Sequence, residues 1–326
     1  MKAVKLEEIV RQKDPELKQV VEQLARGEVR EAVQNLDRQG RVHEIQGHDE
    51  RIAAIAKEYA KAPENTLVIS PDNRSRMEIN DRVHAEMQRR GLVSSEEQCI
   101  RTLVPRQDLT GADRTWAERY EVGDVLRYSR ASNETGIGKG AYSQVKSIDA
   151  PKNRLTVELQ DGTQRTYDPR RQLGVSVFRQ EIRNFSLGDR IQFTAPANDL
   201  RVANRELGTI ESIDGDGRLR LKMDGGRMVE LDTHKHPHLD YGYAMTSYSS
   251  QGQTAKDLLN SRMAYVAVSR GRYDAQIFTN NAPTLGQELS RDVSHSPAMQ
   301  QEPASQKIEP QPTHTNEIAQ GFGFGL

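Results

Sequence analysis

The chain has 326 residues, with 46 Lys+Arg against 47 Asp+Glu and a net charge of −1. That balance excludes a uniformly basic nucleic-acid coat, so any nucleic-acid footprint must be a local patch. No apolar run is long enough to span a bilayer, and the N-terminus carries no signal-peptide pattern, so no membrane insertion is expected. Cys99 is the single cysteine. No internal disulfide can form, which fits a reducing, cytoplasmic setting. The length allows two or three domains.

Residues 5–36 read as helical. Leu17, Val20, Val21, Leu24 and Ala25 share one face, as do Val29, Ala32, Val33 and Leu36. Arg11-Gln12 precedes Asp14-Pro15, a helix entry. Val42 to Ile45 reads as a short strand, and Ile52, Ile55, Ala56 and Tyr59 form a helical stripe with Asp49 as its cap. Thr66 to Ile69 is a second strand, ending at Ser70-Pro71. Ile79, Val83 and Met87 continue as a helix that stops at Gly91. Strand, helix, strand, helix predicts an α/β domain with a parallel sheet. The loop Ser70–Asn73 falls at the C-terminal end of its strand, where such sheets place ligands. Capping by Asp72 or Asn73 accounts for the same residues.

From about residue 100 to 235 the pattern changes to short alternating strands, and the sequence repeats at a constant offset of 65 residues. Tyr120–Tyr128 echoes Phe185–Phe193, with Gly123-Asp124 matched by Gly188-Asp189, and Ser147-Ile148-Asp149 recurs as Ser212-Ile213-Asp214. Asp161-Gly162 and Asp224-Gly225 supply hairpin turns in matching places. Each copy has room for a small barrel only, which predicts two tandem SH3-like barrels. Gly136-Ile137-Gly138-Lys139-Gly140 lacks phosphate-loop spacing and reads as a hairpin. Trp116 and Tyr120 suit base stacking or core packing, and core packing is favoured. His234, His236 and His238 alternate without ligand-spaced partners, so no metal site is expected. Arg165, Arg170, Arg171, Arg179 and Arg183 suit either a phosphate-facing patch or a solvated surface.

After residue 240 the α/β pattern returns. Gly242 to Ala255 reads as a short apolar strand, a hydroxyl-rich turn and a helix start, where free backbone N–H groups attract phosphate. A second run, Ala264 to Arg272, ends an apolar segment in an arginine. Gln276 to Thr279 is the expected last strand. Beyond Pro283 the chain is rich in Gln, Pro, Ser and His and is expected to be disordered.

These two runs, in this order, resemble motifs V and VI of superfamily-1 DNA helicases. The wording is similar to the C-terminal, second-motor part of the conjugative relaxase–helicases of the TraI and TrwC type, a group related to RecD. Arg11-Gln12, Ser70–Arg76, Tyr167–Arg171 and Ala203–Gly208 extend the resemblance to about Ser294. The resemblance implies a RecA-like second motor domain split over residues 41–105 and 236–282. A helical lead-in at 1–40 would carry a motif-IV-like Arg-Gln pair. Inserted barrels would occupy 106–184 and 185–235, and a tail 283–326.

The resemblance also implies roles. Arg270 would be an arginine finger and Arg11 a second phosphate arginine. Gln12, Gln251 and Gly252 would lie on the cofactor side, with Gln251 and Gly252 coupling nucleotide to DNA. Asn73, Arg74, Arg76, Thr246, Ser247, Tyr248 and Ser249 would meet single-stranded DNA. The cofactor would be ATP with Mg²⁺, bound only together with a first motor domain, because the sequence contains neither Walker A spacing nor a convincing Walker B pair. The relaxase nucleophile signature is absent as well. The chain is therefore expected to be a C-terminal fragment, inactive alone, that partners single-stranded DNA and a first motor domain or relaxase half in cis or trans. Conjugative secretion machinery is a further expected partner. The alternative expectations are a non-catalytic binding module for single-stranded DNA or a secretion partner, and a truncated remnant. The remnant is suggested by a segment after Ala255 that is shorter than the family pattern.

Overall fold

The computed structural model describes residues 11–106, 108–109, 111–246 and 261–290. Asp14 caps the first helix, α1 (Pro15–Ala25), by accepting from the Leu17 N–H at 2.7 Å, and Pro15 supplies the preset first turn. Gly27, at φ +82°, interrupts the predicted continuous helix, and α2 (Val29–Arg38) follows. Ala25 is exposed, because the helix ends there. The apolar stripes of α1 and α2 share one core with Ala264 and Val268 of α5 (Ser261–Val268) and Leu285 and Leu289 of α6 (Ala282–Leu289).

Two parallel strand pairs join the ends of the chain. β1 (Val42–Glu44) pairs with β15 (Ile277–Thr279), and β2 (Val68–Ser70) pairs with β14 (Ala244–Thr246). Helices α3 (His48–Tyr59) and α4 (Asn73–Arg89) follow β1 and β2, so the fold is mixed α/β with parallel pairing. Asp49 was the expected cap of α3. Gly47 holds that position, and Asp49 sits in the first turn. Asp72 caps α4 by accepting from the Ser75 N–H at 2.8 Å.

The repeat region forms two antiparallel sheets. The first contains β3 (Glu97–Pro105), β4 (Val125–Tyr128), β5 (Tyr142–Asp149), β6 (Arg154–Leu159), β7 (Gln164–Tyr167) and β8 (Val175–Ser186). The second contains β9 (Arg190–Phe193), β10 (Leu207–Ile213), β11 (Arg218–Met223), β12 (Met228–Asp232) and β13 (Leu239–Tyr241). Their orders are β3-β8-β4-β5-β6-β7 and β12-β11-β10-β9-β13. Each copy thus places its fifth strand beside its first. The predicted barrels are not closed: β7 and β12 are edge strands, and closure needs a continuous staggered ladder all round.

The repeat reaches into local geometry. A β-bulge falls between Val145 and Ser147 in one copy and between Ile210 and Ser212 in the other. Asp124 accepts from the Glu121 N–H at 2.8 Å, and Asp189 accepts from the Ser186 N–H at 2.7 Å. The Gly-rich segment 136–140 is a turn between β4 and β5, as its spacing predicts.

Candidate functional site

Arg270 follows the C-terminal turn of α5, where the Ser269 N–H still bonds to the Tyr265 carbonyl. The turn that carries it is tight: a Cβ at Gly271 would lie 2.4 Å from the Asp274 carbonyl oxygen. Gln12 is buried beside this turn. Its Nε2 donates to the Ser269 carbonyl at 2.8 Å and to the Gly271 carbonyl at 2.9 Å, on either side of Arg270. The Lys13 N–H donates to the Arg272 carbonyl at 2.7 Å. The Arg11-Gln12 pair and the Arg270 turn are therefore one unit, although 257 residues separate Gln12 from Ser269. Arg11 and Arg270 themselves are exposed. Among the described residues neither is within ion-pair distance of a carboxylate.

The expected DNA-facing residues of α4 are differently engaged. Arg74 is exposed and pairs with Glu78 at 3.1 Å. Asn73 accepts from Arg76 Nε at 2.8 Å, and Arg76 is buried with its Nη2 2.8 Å from Asp240. Thr246 ends β14 beside Ser70. Ser247, Tyr248, Ser249, Gln251 and Gly252 lie outside the described residues.

Thr246 and Arg270 line a cleft of about 690 Å³ between the parallel strands and the repeat sheets. Six arginines reach it: Arg76, Arg106, Arg114, Arg127, Arg205 and Arg270. Arg76 is neutralised by Asp240, and Arg106 by Asp108 and Asp124. Arg114 donates to the Val175 and Leu109 carbonyls. Arg127 stands 5.9 Å from the Tyr142 ring centroid and, among the described residues, pairs with no carboxylate. Close by, burial pushes the His238 imidazole down to about 4, and the Arg127 charge acts in the same direction. His238 is therefore neutral at pH 7 and adds no second positive charge beside Arg127.

Other sequence readings resolve individually. Arg170, Arg171, Arg179 and Arg183 each meet a carboxylate: Asp168, Glu134, Glu121 and Asp81. The basic run is thus largely paired. Tyr120 is buried and donates to the Arg114 carbonyl, while Trp116 is half-exposed. His236 pairs with Asp199, and His238 bonds the Tyr142 hydroxyl at 2.7 Å.

Sequence reasoning missed the residues that hold the cleft together. Asn80 of α4 donates to the Tyr241 carbonyl at 3.2 Å and accepts from the Ala244 N–H at 2.7 Å, clipping β13 to β14. Asp189 accepts from the Tyr243 hydroxyl and lies 2.8 Å from His84 Nδ1. The repeat gave one available signal, since Asp124 and Asp189 occupy equivalent turns.

A family model described as an AAA domain matches residues 1–47. The multifunctional conjugation protein TraI of Escherichia coli is 21% identical over 279 residues, which are 79% of this chain and 15% of that protein. TraI of Escherichia coli strain K12 is 22% identical over 250 residues, 70% of this chain and 14% of that protein. The chain is similar to a region of the conjugation protein TraI. The chain matches only about 15% of the length of those relatives. A solved structure of two coordinating Pif1 helicases at forked duplex DNA overlaps 86% of the chain and 50% of its own, at 14% identity and a TM-score of 0.40. Among the described residues, no helix is long and apolar enough to cross a membrane.

Proposed function

We propose that the chain is the second-motor half of an ATP-driven single-stranded DNA translocase of the conjugative relaxase–helicase type. The observation that carries this reading is the Gln12 amide bridging the two carbonyls that flank Arg270. An exposed arginine on a backbone turn pinned at both sides, without a carboxylate partner among the described residues, suits a group that must meet charge developing elsewhere.

In this reading Arg270 donates to the transferring phosphoryl oxygens, and Arg11, held on the same unit, is the second phosphate arginine. ATP with Mg²⁺, held by a first motor domain, supplies the transferable phosphoryl group. Gln12 keeps the finger in place, so its role is positional as much as nucleotide-facing. Thr246, with the segment that follows it, meets the DNA strand. The two repeat copies, with their fifth–first–second–third–fourth strand order, are SH3-like modules flanking that strand. The chain acts only with a first motor domain, in cis or trans, and works in the cytoplasm.

Mixing the chain with a TraI-type first motor domain is expected to restore DNA-stimulated ATP hydrolysis. Arg270→Ala should lower it by about 10³-fold or more. A mixture that hydrolyses ATP equally well with Arg270→Ala contradicts the assignment. A second reading, a non-catalytic binding module for single-stranded DNA, is favoured by the arginine-lined cleft alone. It predicts DNA binding that no first motor domain and no nucleotide alters.

A further inference from the structure

The two repeat copies hold the same buried carboxylate with different cations. Asp124 and Asp189 occupy equivalent turns, and each accepts from the N–H three residues before it, at Glu121 and Ser186. In the first copy the cation is Arg106, just after β3, with its Nη1 2.8 Å from Asp124. In the second copy it is His84 of α4, with its Nδ1 2.8 Å from Asp189. A guanidinium keeps its charge, whereas an imidazole titrates near neutrality.

His84 also faces a second carboxylate, because its Nε2 lies 3.3 Å from Glu97 Oε1. Both ring nitrogens therefore point at acceptors, and only the protonated ring carries two N–H groups. Without the proton the ring serves one carboxylate and turns a lone pair to the other. Burial acts against the charged ring, but the bonds and charges of Asp189 and Glu97 outweigh it and raise the pKa. Tyr241 stacks on the ring at 4.9 Å, and the Tyr243 hydroxyl donates to Asp189. Burial raises both phenols, so neither titrates near neutrality. Nearby, Asp81 of α4 and Arg183 of β8 pair with each other at 3.1 Å.

The two ends of α4 are held differently. Towards its start, Arg76 pairs with Asp240, and Asn80 bonds the Tyr241 carbonyl and the Ala244 N–H. Towards its end, His84 meets Asp189, and Gln88 Nε2 donates to Ser186 Oγ at 3.3 Å. Just past the helix, the Ser94 N–H donates to the Leu187 carbonyl at 3.0 Å. We propose that His84 is a proton-operated latch that seats the end of α4 on the second repeat copy when protonated and releases it when neutral. The Arg76 and Asn80 contacts then act as the pivot. The first copy, closed by Arg106, has no such response. This device goes beyond the second-motor reading and stands without it.

The test is amide hydrogen exchange of the full chain, resolved to Ser94 and Glu121 and corrected for intrinsic rates. Between about pH 6 and about pH 8.5, protection at Ser94 should fall about tenfold or more, while protection at Glu121 stays level. Glu97→Gln replaces an obligate acceptor with an amide that can also donate to the ring, so it should flatten the Ser94 response. Arg106→His brings a titratable ring to the first copy and should give Glu121 the response that it lacks. Level protection at Ser94, an equal fall at Glu121 in the wild type, or an undiminished response in Glu97→Gln overturns the latch. So does level protection at Glu121 in a folded Arg106→His. If circular dichroism melts show that Arg106→His does not fold, the comparison of wild type with Glu97→Gln decides.

Discussion

Arg76 Nη2 and Asp240 Oδ2 form a buried ion pair at 2.8 Å across 164 residues of sequence, tying α4 to β13. Arg183 Nε lies 3.5 Å from the other Asp240 oxygen. One carboxylate thus holds the helix that follows β2 against the second repeat sheet. Removing it strips Arg76 of its carboxylate in a buried site, while Arg183 keeps Asp81 and Glu181. Asp240→Ala should cost about 3–5 kcal/mol, read from urea unfolding. A cost below about 1 kcal/mol would mean that the pair is not a structural tie.

Gly242 sits between β13 and β14, where the repeat sheet hands over to the parallel strands. A Cβ there would lie 2.8 Å from the Ile191 carbonyl carbon and oxygen. Backbone cannot yield as a flexible side chain can. Gly242→Ala should therefore destabilise by about 1–3 kcal/mol. Gly215, which has open space around its Cβ position, is the control. Gly215→Ala should stay within about 0.5 kcal/mol of the wild type. Equal effects at the two sites would contradict the close approach at Gly242.

His84 gives the stability a pH dependence. Burial acts against its charged form, but the bond to Asp189 and the Asp189 and Glu97 charges outweigh it and raise its pKa above 6.5. A raised pKa means that the folded state binds the proton more tightly than the unfolded state. The contribution is complete below about pH 6.5 and is lost as pH rises through the folded pKa. Melting temperature against pH should therefore fall more steeply above neutrality for the wild type than for His84→Gln. Parallel curves for the two proteins would remove His84 from the account.

Local features were legible in the sequence. Asp14 and Asp72 act as caps because a carboxylate three residues before a free N–H is a short-range relationship. The repeat was visible because its Gly-Asp turns and strand lengths recur at a fixed spacing, and the structure reproduces it down to the bulges. The Asp49 cap failed because Gly47 starts the helix two residues earlier.

What the sequence hid is long-range. Nothing near Asp240 advertises Arg76, and nothing near Arg171 advertises Glu134, so the pairing of an arginine run that suited either a phosphate-facing patch or a solvated surface was not visible. The bonds of Gln12 to the carbonyls at 269 and 271 were hidden because backbone partners leave no mark on side-chain patterns. Barrel closure was over-read for the same reason. Strand periodicity reports alternation along a strand, not whether two distant edges meet.

The most direct measurement of the central claim is association of this chain with a TraI-type first motor domain in the presence of ADP and aluminium fluoride. An arginine finger stabilises the transferring phosphoryl group more than the ground state, so a transition-state mimic should strengthen the complex. The account predicts tighter association with ADP–aluminium fluoride than with ADP alone, and loss of that difference in Arg270→Ala. Association that ignores the mimic, or an Arg270→Ala variant that responds as the wild type does, would contradict it.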